Sequence, residues 1–152
     1  MTEQSGPREL VGYAQQADRL GFDFAVSSDH YFPWLDEQGH APYAWSVLGA
    51  VAHATSRLEL MTYVTCPIIR YHPAVVAQKA ATMALLSQGR FMLGVGAGEN
   101  LNEHVVGERW PAVGERHDML EEALDIIHQL LIGCGAAAVA YLLGLAFGTS
   151  GI

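Results

Sequence analysis

The sequence specifies an α/β fold with parallel strands, and three observations point to it. Helical and strand-like periodicities take turns along the chain. The apolar runs that read as strands are short, and their ends fall near Ser28, Val64 and Gly96, a spacing of roughly 35 residues. Units of that length join parallel strands through crossover helices, so a parallel sheet or a barrel follows. In such an architecture the loops of separate units converge at the strand ends, where chemistry collects.

Each element has a local cause. Pro7 stands at a first helical position after Ser5 and Gly6, where its missing N–H is no loss. Leu10, Ala14, Ala17 and Leu20 then recur at helical spacing until Gly21 stops the helix. Phe22, Phe24 and Val26 alternate, giving a strand over 22–28 that delivers Asp29 and His30 at its C-terminal tip. A loop runs from Trp34 to Pro42. Residues 43–55 read as a second helix, 58–65 as a second strand, 73–87 as a third helix and 90–96 as a third strand. Residues 112–132 make a long amphipathic helix with Met119, Leu120, Leu124, Ile127 and Leu131 on one side. From residue 133 the composition turns to Ala, Gly and Leu without charge. Two regions are therefore expected, an α/β domain over 1–132 and an apolar tail over 133–152.

Composition excludes several classes. Sixteen acidic residues oppose eight basic ones, for a formal net charge of -8. No basic stripe exists to meet phosphates, so a nucleic-acid partner is not expected. Cys66 and Cys134 lie far apart and form no C-x-x-C pair, which argues against a disulfide framework or zinc knuckle and fits a reducing cytoplasm. The first ten residues carry Glu3, Arg8 and Glu9 and no apolar run, unlike a secretory signal. Residues 130–152 have roughly the length of a membrane span of about 20 residues. Glycines, Thr149, Ser150 and the lack of flanking basic residues make that segment a poor anchor, and no membrane partner is expected.

Two constellations carry chemistry. The segment from Ser27 to Trp34 gathers Asp29, His30, Phe32 and Trp34, a set suited to holding a flat ring and moving protons. Spacing alone also allows Asp29 to cap a turn and the aromatic residues to be core. The stretch Gly94-Val95-Gly96-Ala97-Gly98-Glu99 lies at a strand end, where bare backbone lets a ligand approach and a carboxylate follows at once. A tight turn is the alternative use of such glycines. The dinucleotide fingerprint needs its third glycine three residues after the second, and Gly98 comes too early. His40, His53, His72, His104, His117 and His128 show no metal-ligand spacing, and no metal is expected. There is no G-x-S-x-G elbow, no phosphate-binding loop ending in Gly-Lys-Ser/Thr and no cysteine set in positive surroundings.

Three segments in order resemble the luciferase-like flavin and deazaflavin superfamily. They are Ser28 to Trp34 with Gly39-His40-Ala41-Pro42, then Arg70-Tyr71-His72-Pro73-Ala74, then Gly94 to Glu103. Within it they look most like the branch related to F420-dependent glucose-6-phosphate dehydrogenase, from about Glu3 to about Ile132. The resemblance implies a TIM-type (β/α)8 barrel, here an incomplete N-terminal half with parallel strands, three of them visible and the opening strand absent or reduced to residues 1–4. It implies coenzyme F420 in the barrel mouth, with FMN as the alternative. By position, His30 and Glu99 would exchange protons during hydride transfer, which is acid and which base being left open, and Trp34 would shape the catalytic pocket. Asp29, Val64, Cys66, Ala97, Gly98 and Asn102 would contact the coenzyme. The substrate would be a small organic molecule.

Three functions therefore compete. A deazaflavin-dependent oxidoreductase leads, and an FMN-dependent luciferase-like monooxygenase keeps the same fold. A non-catalytic barrel fragment comes third, because half a barrel leaves strand edges and an apolar helix face exposed, which favours self-association into a homodimer.

Overall fold

A computed structural model describes residues 2–146, with side chains over residues 2–133. Helix α1 (Pro7–Leu20) begins at Pro7 and ends at Gly21, whose φ of 84° only glycine adopts without strain. The Phe22 N–H closes that end by donating to Ala17 O at 3.1 Å, so Phe22 belongs to the helix cap. Strand β1 is accordingly shorter than the alternation suggests, Phe24–Ser27. Helix α2 (Ala44–Ala54) leads to β2 (Glu59–Thr62), and α3 (Pro73–Leu86) leads to β3 (Phe91–Met92). His72 caps α3 by accepting the Ala74 N–H at 3.2 Å. A one-turn helix α4 (Asn100–Glu103) precedes α5 (Val113–Ala146).

The three strands form one parallel sheet in the order β1-β2-β3, with Ala25 opposite Leu60 and Leu60 opposite Phe91. Strands β2 and β3 are shorter than the expected 58–65 and 90–96. Past Thr62 the chain takes a cis Tyr63–Val64 peptide, and pairing resumes only as a single bridge between Thr65 and Val95.

Register sorts the side chains onto two faces. Ala25, Leu60 and Phe91 meet the helices, in a core that includes Leu10, Trp45, Leu48, Val51, Leu58, Val76 and Ile127. Leu58, Leu60 and Val76 are fully excluded from solvent. Phe24, Val26 and Met92 point the other way and are exposed, on the face that a closed barrel turns inward. Arg90 braces the core from below, donating to the carbonyls of Ala52, Thr55 and Leu58 at 2.7–3.1 Å and so capping the C-terminus of α2.

Helix α5 differs from its expected form in two ways. Its buried face centres on Ala123 and Ile127, while Leu124 stands exposed, because α5 meets α3 along that narrower line. It also continues past Ile132 to Ala146, so the first part of the apolar segment is helical. The end of the expected tail, residues 147–152, lies outside the described residues. Among the described residues no helix is long and apolar enough to cross a membrane.

Candidate active site

The strand ends do converge. A cavity of about 410 Å³ opens there, lined by Asp29, His30 and Trp34 after β1, Tyr63, Val64 and Cys66 after β2, and Gly96 to Glu99 with Asn102 and Glu103 after β3. The residues assigned to a site by the family resemblance, His30, Glu99, Trp34, Asp29, Val64, Cys66, Ala97, Gly98 and Asn102, line this one space, whereas Phe32, Gly94 and Val95 do not.

His30 is held between two carboxylates. Its Nδ1 pairs with Glu3 Oε1 in a short contact, and its Nε2 lies 3.5 Å from Glu99 Oε1. Glu3 also accepts from Ser28 Oγ at 3.3 Å and from the Trp34 N–H at 2.8 Å, so one buried carboxylate fixes both ends of the His30 loop. An ionised Glu3 accepts the Nδ1–H and leaves Nε2 as the free nitrogen on the Glu99 side. The Trp34 ring stacks on His30 with centroids 5.8 Å apart. Glu3 escaped the sequence reading because it belongs to no local motif. Only the return of the N-terminal segment across the strand end, with the His40 N–H bonded to Glu3 O at 3.1 Å, brings it into place.

Asp29 lines the cavity, but its carboxylate is occupied from behind. Oδ2 accepts from Trp45 Nε1 at 2.9 Å and Thr65 Oγ1 at 2.8 Å, and Oδ1 accepts from the Tyr71 hydroxyl at 2.9 Å. The Arg70 guanidinium sits between Asp29 Oδ1 at 3.5 Å and Glu103 Oε1 at 3.4 Å, with all three side chains buried. Burial pushes the Glu103 carboxyl above its ordinary range, against the opposing pull of Arg70. Burial and then the Glu103 charge push the Cys66 thiol up to about 12, so Cys66 is a neutral wall of the cavity and not a nucleophile. Arg70 and Glu103 stand in two separate segments of the family resemblance, and their pairing across 33 positions was not legible before the fold.

The glycines serve the neighbouring strand as much as any ligand. A Cβ on Gly94 would stand 2.1 Å from Thr62 O, and one on Gly96 would meet Val64 Cγ2 at 2.8 Å. Gly98 has φ +72°, and a side chain there would press on Glu103, Cys66 and Trp110. Among the described residues no three His, Cys, Asp or Glu side chains gather as a metal site requires.

Comparison with known proteins names the lineage. The model of the luciferase-like monooxygenase family matches residues 1–141. The chain belongs to the luciferase-like monooxygenase family. Among its relatives, F420-dependent glucose-6-phosphate dehydrogenase of Kribbella flavida is 52% identical over 129 residues, which are 84% of this chain and 39% of that protein. F420-dependent hydroxymycolic acid dehydrogenase of Mycobacterium tuberculosis is 46% identical over 86% of this chain and 36% of its own length. A solved F420-dependent secondary alcohol dehydrogenase, in complex with an F420-acetone adduct, superposes with a TM-score of 0.79 at 40% identity, over 82% of this chain and 38% of that one. The luciferase-like chain thus spans about two fifths of the length of the relatives it matches. Its three parallel strands and their helices are part of a TIM-type barrel, as the sequence implied.

Proposed function

We propose that this chain carries the coenzyme-binding and proton-transfer part of an F420-dependent oxidoreductase, which moves a hydride between a small organic substrate and the deazaflavin. The observation that carries the reading is the imidazole of His30, clamped by Glu3 and facing Glu99 across the wall of a strand-end cavity. The relatives named above are F420-dependent, which favours the deazaflavin over FMN.

The residues present suit such a group. A flat, partly polar ring system needs apolar walls with a few placed polar atoms. Trp34, Tyr63, Val64 and Ala97 supply the walls, while His30, Glu99 and Asn102 supply the polar edge. Asp29, Val64, Cys66, Ala97, Gly98 and Asn102 would hold the coenzyme, Asp29 chiefly by setting the shape of the loop, since its carboxylate is already engaged. When bound, the deazaflavin supplies a two-electron hydride acceptor or donor. The chain's own side chains then manage the protons: His30 takes or returns one at Nε2, its tautomer set by Glu3, and Glu99 handles the second. None of the described cavity-lining residues is Lys or Arg, and Arg70 is committed to Asp29 and Glu103. An anionic substrate group would therefore be met by residues outside this set.

Titration with F420 and with FMN, followed by coenzyme fluorescence, tests the reading. F420 is expected to bind at least about tenfold more tightly than FMN. Binding of FMN alone, or of neither, defeats the proposal. In the loaded enzyme, His30→Ala should lower turnover by about a hundredfold or more.

A further inference from the structure

We propose that Asn102 is a positioning residue for the proton-transfer pair, holding Glu99 toward His30 and tying that carboxylate to the loop that carries His30. Only the role of the pair rests on the functional reading above; the geometry stands without it.

Asn102 is 2% exposed, and both ends of its amide are engaged. Its Oδ1 accepts the N–H groups of Tyr31 at 2.6 Å and Phe32 at 3.0 Å. Its Nδ2 donates to Glu99 Oε1 at 2.7 Å. Backbone N–H groups only donate, so the oxygen must face Tyr31 and Phe32 and the NH2 must face Glu99, and the amide has one orientation. Two consequences follow for Glu99. Its Oε1 is engaged as an acceptor, which favours Oε2 as the oxygen that carries a proton. The same Oε1 lies 3.5 Å from His30 Nε2, so a single side chain sets the separation of the two proton carriers.

The mounting is stiff as well. Asn102 and Glu103 both donate their backbone N–H to Glu99 O at 3.2 Å, closing the turn of α4. Glu103 accepts the Arg70 N–H at 2.9 Å, which pins the turn to the loop after β2. Asn102 pins the same turn to the loop after β1. Loops from three strands thus meet at α4, and Asn102 is the member that reaches the reacting pair.

Two substitutions separate its two contacts. Asn102→Asp keeps an acceptor for Tyr31 and Phe32 but removes the donor to Glu99, whereas Asn102→Ala removes both. In the isotope-labelled, coenzyme-free chain, the Tyr31 and Phe32 amides should exchange about tenfold faster in N102A and stay within about threefold of wild type in N102D. The Glu99 side-chain carboxyl ¹³C resonance should move in both. Glu99→Gln reads the contact from the other side, moving the Asn102 side-chain amide resonance even where the Asn102 variants fold poorly. Unmoved Glu99 signals in N102D, or unmoved Asn102 signals in E99Q, overturn the proposal. In the loaded enzyme N102D should lower kcat about tenfold or more, beyond any change in the F420 dissociation constant. A loss confined to the F420 dissociation constant, with kcat unchanged, would make Asn102 a coenzyme ligand only and overturn the positioning role. If wild type does not bind F420, the functional reading fails while the coenzyme-free result still decides this one.

Discussion

Replacing Arg70 with Met tests whether the buried charge cluster, rather than the cavity lining, holds the site together. Arg70 donates from Nε to Glu103 Oε1, from Nη2 to Asp29 O and Oδ1, and from Nη1 to the Tyr71 hydroxyl, with its side chain 8% exposed. Met fills much of the volume and removes every one of these donors. Asp29 would keep Trp45, Thr65 and Tyr71, but Glu103, with a side chain 1% exposed, would keep only the backbone N–H of residue 70. Leaving one partner of a buried pair uncompensated costs about 3–5 kcal/mol, a large fraction of the 5–15 kcal/mol typical of a whole domain. Adding Glu103→Leu removes the orphaned charge and should recover about 2 kcal/mol or more. The sign of the pH dependence follows from the raised Glu103 carboxyl. With Arg70's opposing pull removed the Glu103 carboxyl rises further, and a raised carboxyl gives stability that is lost as pH rises, so the R70M deficit should grow as pH rises above the ordinary carboxylate range. Urea unfolding followed by far-ultraviolet circular dichroism measures all three effects. An R70M chain within about 1 kcal/mol of wild type, or a double variant no better than the single, refutes the argument.

Three further outcomes are expected. In a Cys134→Ser background, Cys66 should alkylate slowly at about pH 8: with the thiol raised from 9.0 to about 12 the thiolate fraction falls from about one in ten to one in ten thousand, so the folded chain should react about a thousandfold more slowly than the chain in urea. Comparable rates in the two states would contradict the buried, acid-flanked thiol. Asp18, which accepts the N–H groups of Ser56, Arg57 and Leu58 and the Ser56 hydroxyl, is lowered to about 2 chiefly by the Ser56 backbone bond. Its stabilisation is therefore complete above about pH 4 and lost toward pH 2, so the urea midpoint of Asp18→Asn should lie below wild type at neutral pH and converge on it in acid; a pH-independent gap would argue against the linkage. Glu3→Gln should release the His30 tautomer, seen as a ¹⁵N spectrum averaging Nδ1–H and Nε2–H forms where wild type shows Nδ1–H; an unchanged spectrum would remove Glu3 as the residue that sets it.

What the sequence disclosed and what it hid divide along a physical line. Alternating periods, Pro7 and Pro73 at helix starts and Gly21 at a helix end are local signals, and each element they mark exists in the structure. Parallel strands needed only the crossover logic of repeating units, which is why Asp29, His30 and Glu99 could be placed at converging strand ends before any coordinates. Strand lengths failed because they are decided elsewhere: Phe22 is drawn into the cap of α1, and the bend at Tyr63 and Val64 answers to Gly94 and Gly96 across the sheet. The support of the site was the least legible part. Glu3, Arg70 and Glu103 act through contacts separated by 27, 41 and 33 positions, and no spacing rule reaches so far. Asn102 lies between the two cases. The family resemblance named it as a coenzyme-lining residue, yet its amide spends one end on Tyr31 and Phe32 and the other on Glu99. A motif can therefore name the proposed reacting groups, while the distance between them is set by residues that the motif lists only as neighbours, and substitutions at those neighbours should disturb the separation of His30 and Glu99 before they disturb the fold.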